Sequence, residues 1–117
     1  MRVRRGDVVV VELNPTRGSE QRGTRPCLVV QNDVGNENAR TTIVVPFTTS
    51  FDEQVYPFEV LVPAEECALG EDSVALCSQL RTVSTEHRIT DNLGAIPAER
   101  MEEVDTALGY SLGLTEL

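Results

Sequence analysis

Short β-branched stretches separated by turn-forming residues fill most of the chain, and only its end has a different periodicity. Gly6-Asp7 leads into Val8 to Leu13, a run too continuous for a surface helix, and Asn14-Pro15 closes it with turn chemistry. That predicts a first strand. The loop RGSEQRGTR follows, with Gly18 and Gly23 free to take positive φ, and Pro26 to Gln31 reads as a second strand. Asn32 to Asn36 reads as a turn, and Thr41 to Pro46 as a third strand that the proline should end before Phe47-Thr48-Thr49-Ser50. Phe58 to Val62 alternates, and Pro63 to Cys67 suits a single helical turn with proline at its first position. Ser73 to Val83 reads as one long bent strand or two short ones.

From Pro97 onward the period changes. Glu99 suits the start of a helix dipole, and Met101, Val104, Ala107, Leu108 and Leu112 recur at helical spacing, so one face should pack on the sheet. Five to seven short strands and one terminal helix predict a mainly β fold, a small, strongly curved antiparallel sheet or barrel capped by that helix. At 117 residues, with no internal repeat and no linker, residues 1–117 are expected to form one domain.

Composition narrows the function classes. The N-terminal arginines precede only four consecutive valines, Val8 to Val11, too few for a signal-peptide core or a bilayer span, so a cytoplasmic protein is expected. Cys27, Cys67 and Cys77 form no Cys-x-x-Cys and His87 is the sole histidine, so buried thiols and no metal or other cofactor are expected. The absence of lysine excludes a Walker A loop and a pyridoxal Schiff base, both of which need its amine. The net charge is −9, yet residues 1–50 carry seven arginines against five acids and residues 51–117 three against fourteen. A polyanion would therefore have to be held locally, by a few well-aimed guanidinium groups rather than by a broad basic surface.

The loop between the first two strands is where those groups gather. Arg17, Ser19, Glu20, Gln21, Arg22 and Arg25 all lie there, and Pro26 biases Arg25 toward an extended conformation at the mouth of the second strand. Arg25 could form a surface ion pair with Glu20, worth about 0.5 kcal/mol. Alternatively it could clamp a phosphate together with hydroxyls from Thr48, Thr49 and Ser50, which leave the third strand and could equally serve only their own turn. Phe47, Phe51, Tyr56 and Phe58 are four of the five aromatics. Phe58 suits the core, whereas Phe47, Phe51 and Tyr56 could stack unpaired bases, with core packing the alternative for Phe47. Gln79 and Arg81, two apart, would face the same side and could read a base edge and a phosphate. A Ser/His/Asp hydrolase would need His87 in TEHRIT, but no nucleophile elbow accompanies it, and His87 reads as a turn residue.

Nearly end to end, the sequence resembles the MazF/PemK toxins of bacterial toxin/antitoxin pairs, which are ribosome-independent endoribonucleases. The resemblance rests on RGDVVVVELNPTRGSEQRGTRPCLVVQND, VVPFTTS, YPFEV, DSVALCSQLRTVS and the closing LGAIPAERMEEVDTALGYSLGL, with GSEQ-x-G-x-RP, TT and QLRTV its most specific parts. It implies an SH3-like barrel with a C-terminal helix, a homodimer with an RNA groove across its interface, and an antitoxin of the MazE kind that occludes this groove. It also implies roles. Arg25 matches the family's catalytic arginine and Thr48 its partner threonine; Ser19, Glu20 and Gln21 match the loop beside the scissile phosphate, and Gln79 and Arg81 positions near the groove. Many members carry an acid where this chain has Ser78, which leaves Glu20, the arginine or water to move protons. The expected chemistry is metal-independent attack by the RNA 2′-hydroxyl, giving a 2′,3′-cyclic phosphate and a 5′-hydroxyl. A binding-only toxin on the same barrel, like the CcdB gyrase poisons, and a degenerate member that merely sequesters an antitoxin are the alternatives.

Overall fold

The computed structural model describes residues 1–117. Seven strands form it: β1 (Asp7–Glu12), β2 (Thr24–Val29), β3 (Thr41–Thr48), β4 (Glu59–Val62), β5 (Ser73–Leu76), β6 (Arg81–Ser84) and β7 (Ile89–Ala95). Two helices accompany them, a short α1 (Asp33–Asn38) and the terminal α2 (Ala98–Ser111), with a 3₁₀ turn over Ala64–Glu66. All pairings are antiparallel, in the order β4-β5-β3-β2-β1-β7, and β6 joins the same side of β3 as β5. The mainly β architecture with a C-terminal helix is as expected; β4 and β7 do not pair, so the sheet curves without closing. Two register shifts between β1 and β7, at Val8/Val9 and Val10/Val11, add local twist.

Continuous apolar runs make sense here because both faces of the central strands are covered. Side chains alternate between two cores. Val8, Leu28, Val45 and Phe47 face one, beneath α2, together with Val60, Val62, Val104 and Ala107. Val9, Val11, Cys27, Val29, Val44 and Val83 face the other, with Leu13 and Ile89. Val104 and Ala107 bury the helix face and Met101 and Leu108 pack beside them. Leu112, expected on that face, is 57% exposed because it caps the helix C-terminus instead. Arg100 fastens α2 to the 3₁₀ turn, its Nη2 lying 2.5 Å from Glu66 and its Nη1 2.6 Å from Glu103. No helix is long and apolar enough to cross a membrane.

Three local differences from the sequence expectation have physical causes. Asn32 to Asn36 is not a bare turn, since Asn32 Oδ1 accepts from the Gly35 amide at 2.8 Å and caps the short helix α1. Pro46 does not end β3, which runs on to Thr48. Residues up to Val44 pair with β6 and residues from Phe47 pair with β5, so the proline sits where the strand changes neighbour on one side and that ladder is already interrupted. The stretch Ser73 to Val83 is two strands, separated by a turn in which Gln79 N–H donates to Leu76 O at 3.0 Å.

Candidate active site

The β1–β2 loop is built to hold a shape. Gly18 and Gly23 adopt φ of +59° and +82°, the left-handed turns that the sequence permits. At its neck the Leu13 amide donates to Gly23 O at 3.0 Å and the Gly23 amide donates to Asn14 Oδ1 at 3.2 Å. Glu12 spans the same neck: Oε1 accepts from the Asn14 amide at 2.8 Å and Oε2 from Thr24 Oγ1 at 2.6 Å. The Thr24 hydroxyl and the Asn14 amide hold the Glu12 carboxyl below its ordinary range, and Arg88 and Arg81 add to this. Farther out, Glu20 Oε1 accepts from the Arg17 amide at 3.1 Å, and the Gln21 amide donates to Gln79 Oε1 at 3.0 Å.

Arg25 lies in β2, on the face that carries Cys27 and Val29. The β2–β3 register pairs Cys27 with Pro46 and, continued by two residues, sets Arg25 opposite Thr48. Its guanidinium is oriented by two carbonyls, Nε donating to Arg22 O at 3.0 Å and Nη1 to Phe47 O at 3.2 Å. The ion pair with Glu20 does not form, and no carboxylate lies within salt-bridge distance of Arg25. Thr48 Oγ1 closes its own turn, accepting from the Ser50 amide at 3.1 Å and donating to Ser50 O at 3.3 Å. Arg25 and Thr48 line one open pocket of about 300 Å³ with Pro26, Phe47, Thr49 and Glu71.

A second groove, about 450 Å³, runs beside the loop. Ser19, Glu20 and Gln21 form one wall and Ser78, Gln79 and Arg81 another, over a floor of Leu13, Val44 and Pro46. Arg25 and Arg81 both stand close enough to Cys27 to oppose the effect of its burial, which nonetheless pushes that thiol up to about 12.

Not every expected residue points its chemistry into this space. Phe47 is 2% exposed and belongs to the main core, so no ring face is left for a base; its carbonyl, which orients Arg25, is what it gives the site. The Arg81 guanidinium donates to Leu13 O and so acts first on the loop neck. Gln79 precedes β6 rather than lying in it, and its Oε1 is taken by Gln21. Arg17, Ser50 and Tyr56 are exposed outside both grooves, Tyr56 lying parallel to Phe58 with ring centroids 5.4 Å apart, and Phe51 is likewise exposed. His87 is an exposed turn residue as expected. Sequence reasoning missed Glu12 and Arg88, whose only signal was polarity beside an apolar run, and Glu71, which the β4–β5 connection brings to the pocket that Arg25 lines.

The family model for the PemK-like, MazF-like toxin of type II toxin-antitoxin systems matches residues 4–112. The chain is 41% identical over 116 residues to the endoribonuclease EndoA of Bacillus subtilis (strain 168), covering 99% of each protein. Among solved structures, it is similar to MazF from Deinococcus radiodurans, with a TM-score of 0.82 and 32% identity over 97% of this chain and 98% of that one. It is also similar to a MazE-MazF structure from Deinococcus radiodurans, with a TM-score of 0.77 and 31% identity over 98% of this chain and 99% of that one. With its arginine and threonine set on facing strands beside the GSEQ loop, the chain belongs to the PemK-like, MazF-like toxin family of type II toxin-antitoxin systems.

Proposed function

We propose that this toxin is a sequence-specific endoribonuclease that cuts single-stranded messenger RNA, blocks translation and so arrests growth. The observation that carries the reading is the placement of Arg25, free of any carboxylate partner, opposite Thr48 at the end of the loop whose Ser19–Gln21 tip lines the second groove. An acidic protein keeping an unpaired, oriented guanidinium at a pocket mouth suits a phosphate that gains charge during reaction.

RNA brings its own nucleophile. The 2′-oxygen bonds to phosphorus while the bond from phosphorus to the 5′-oxygen of the next ribose breaks; the 2′ proton passes to Glu20 and the 5′-oxygen takes one from water. The products are a 2′,3′-cyclic phosphate and a 5′-hydroxyl, and no step needs a metal ion. Arg25 donates to the phosphate oxygens and, since a guanidinium has only donors and no acceptor, acts as a stabiliser rather than a base. Thr48 Oγ1 would exchange its bond to Ser50 O for one to a second phosphate oxygen. Ser19, Gln21, Thr49, Gln79 and Arg81 hold flanking nucleotides, with Arg17, Ser50 and Tyr56 farther along the strand.

One domain over residues 1–117 would carry this activity, as a cytoplasmic homodimer whose RNA groove crosses the interface, and a MazE-like antitoxin would neutralise it by occupying that groove. The MazE-MazF relative supports the last point. A CcdB-like binding-only toxin is not favoured, since it has no use for an oriented phosphate clamp. The decisive experiment incubates purified protein with a mixed single-stranded RNA pool in EDTA and maps the new ends. Cyclic phosphates and 5′-hydroxyls at one recurring motif are expected; intact RNA would overturn the reading.

A further inference from the structure

The sheet is open, and three side chains bridge the corner where β1 leaves it for the loop. Arg88, in the turn between β6 and β7, donates from Nη1 to Glu12 O at 2.9 Å and Asn14 O at 2.6 Å, while Arg81 of β6 donates to Leu13 O. Three consecutive carbonyls are thus held by guanidinium groups from β6 and the turn that follows it. Glu12 adds the tie in the other direction, from Asn14 at the start of the loop to Thr24 at its end. Thr24 directly precedes Arg25.

We infer that Glu12 is a positioning residue: its carboxylate clasps the neck of the β1–β2 loop between Asn14 and Thr24, and so fixes where the Ser19–Gln21 tip and Arg25 stand relative to one another. The inference rests on the nuclease reading only for the reaction whose rate it sets. The loop tip has one anchor to the far wall of the groove, the bond from the Gln21 amide to Gln79. With a slack neck that single bond would leave the tip free to pivot about the mouth of β2. A misplacement of about 1 Å of groups that orient a phosphate for in-line attack costs about a hundredfold in rate. Glu12 lines neither pocket, and its carboxylate is bonded to Asn14 and Thr24, so its effect must pass through the neck.

The variants Glu12→Ala, Glu12→Gln and Thr24→Val separate this from a general structural role. In Glu12→Ala the Asn14 and Gly23 amides should exchange with solvent at least about tenfold faster, while Leu28 and Val45 in the central strands keep their protection. Cleavage kcat should fall about tenfold with KM for RNA nearly unchanged. Glutamine can still accept from the Asn14 amide and can donate to the Thr24 hydroxyl, so Glu12→Gln should restore most of both readouts. Thr24→Val should reproduce part of the loss and add little to Glu12→Ala, because both open one tie. Unchanged exchange at Asn14 and Gly23 in Glu12→Ala would overturn the inference, as would a loosened neck with wild-type kcat. If wild-type protein cut no RNA, the nuclease reading would fall by itself, and the exchange data would still decide whether Glu12 holds the neck.

Discussion

Arg25 donates from Nη1 to the carbonyl oxygen of Phe47 across 3.2 Å, so the core residue that looked fit to stack a base instead aims the arginine. A second donor, Nε, is held by Arg22 O, which leaves Nη2 and the outer edge of the guanidinium to meet a ligand. Strand β3 therefore serves Arg25 twice, through the Phe47 carbonyl and through Thr48 opposite. Arg25→Ala is expected to reduce cleavage by at least about a hundredfold. Arg25→Lys should also fail, by about tenfold or more, because an ammonium can match neither the fork nor both carbonyl contacts. Single-turnover cleavage of an RNA oligonucleotide checks both variants, and a melting temperature within a few degrees of wild type would show that the fold survives.

Thr48→Val keeps the shape of the side chain and removes its hydroxyl. The loss of two bonds to an exposed turn should cost about 1 kcal/mol of stability or less. Cleavage kcat should fall about ten- to a hundredfold with a much smaller change in KM, which steady-state kinetics can separate.

Glu20→Gln keeps an acceptor for the Arg17 amide and abolishes proton transfer. If Glu20 takes the 2′ proton, kcat should fall about a hundredfold with KM for RNA nearly unchanged, as single-turnover and steady-state kinetics would show. A variant with the wild-type kcat would move that role to water.

Acid should loosen the attachment of α2. The bond from Arg100 holds the Glu66 carboxyl below its ordinary value of 4.5, so the unfolded chain binds the proton more readily than the folded one. The stabilisation is complete above 4.5 and is lost as pH falls through the lower folded value. Thermal melts from neutral pH downward should therefore show a shallower acid decline in Glu66→Gln than in wild type.

Burial pushes the Cys27 and Cys77 thiols up to about 12, so both stay protonated and shielded at neutral pH. Cys67, partly exposed, should be the first to react with a thiol reagent, with all three labelled only after denaturation. Mass spectrometry of native and unfolded samples would show this.

Much of this was legible in the residues themselves. Unbroken valine runs marked strands because β-branched residues covered on both faces leave little else to explain them, and Met101, Val104 and Ala107 gave the helix its buried stripe. GSEQ and Arg25-Pro26 marked the loop that carries the candidate site. What escaped was set by long-range register. Whether Phe47 faced water or core depended on its pairing with Ala75, and the duties of Arg81, Arg88 and Glu12 depended on carbonyls that only the curved sheet brings near. Local spacing holds no record of such partners.

Pro46 acts as a key cut for one alignment. It tolerates its lost amide only because the handover from β6 to β5 happens at that point, so sliding β3 by a single position would thrust an N–H-less residue against a neighbour expecting a donor and send Val44 and Val45 each into the other's core. The facing placement of Arg25 and Thr48 is thereby proofread during folding by an imino acid that has no part in the chemistry.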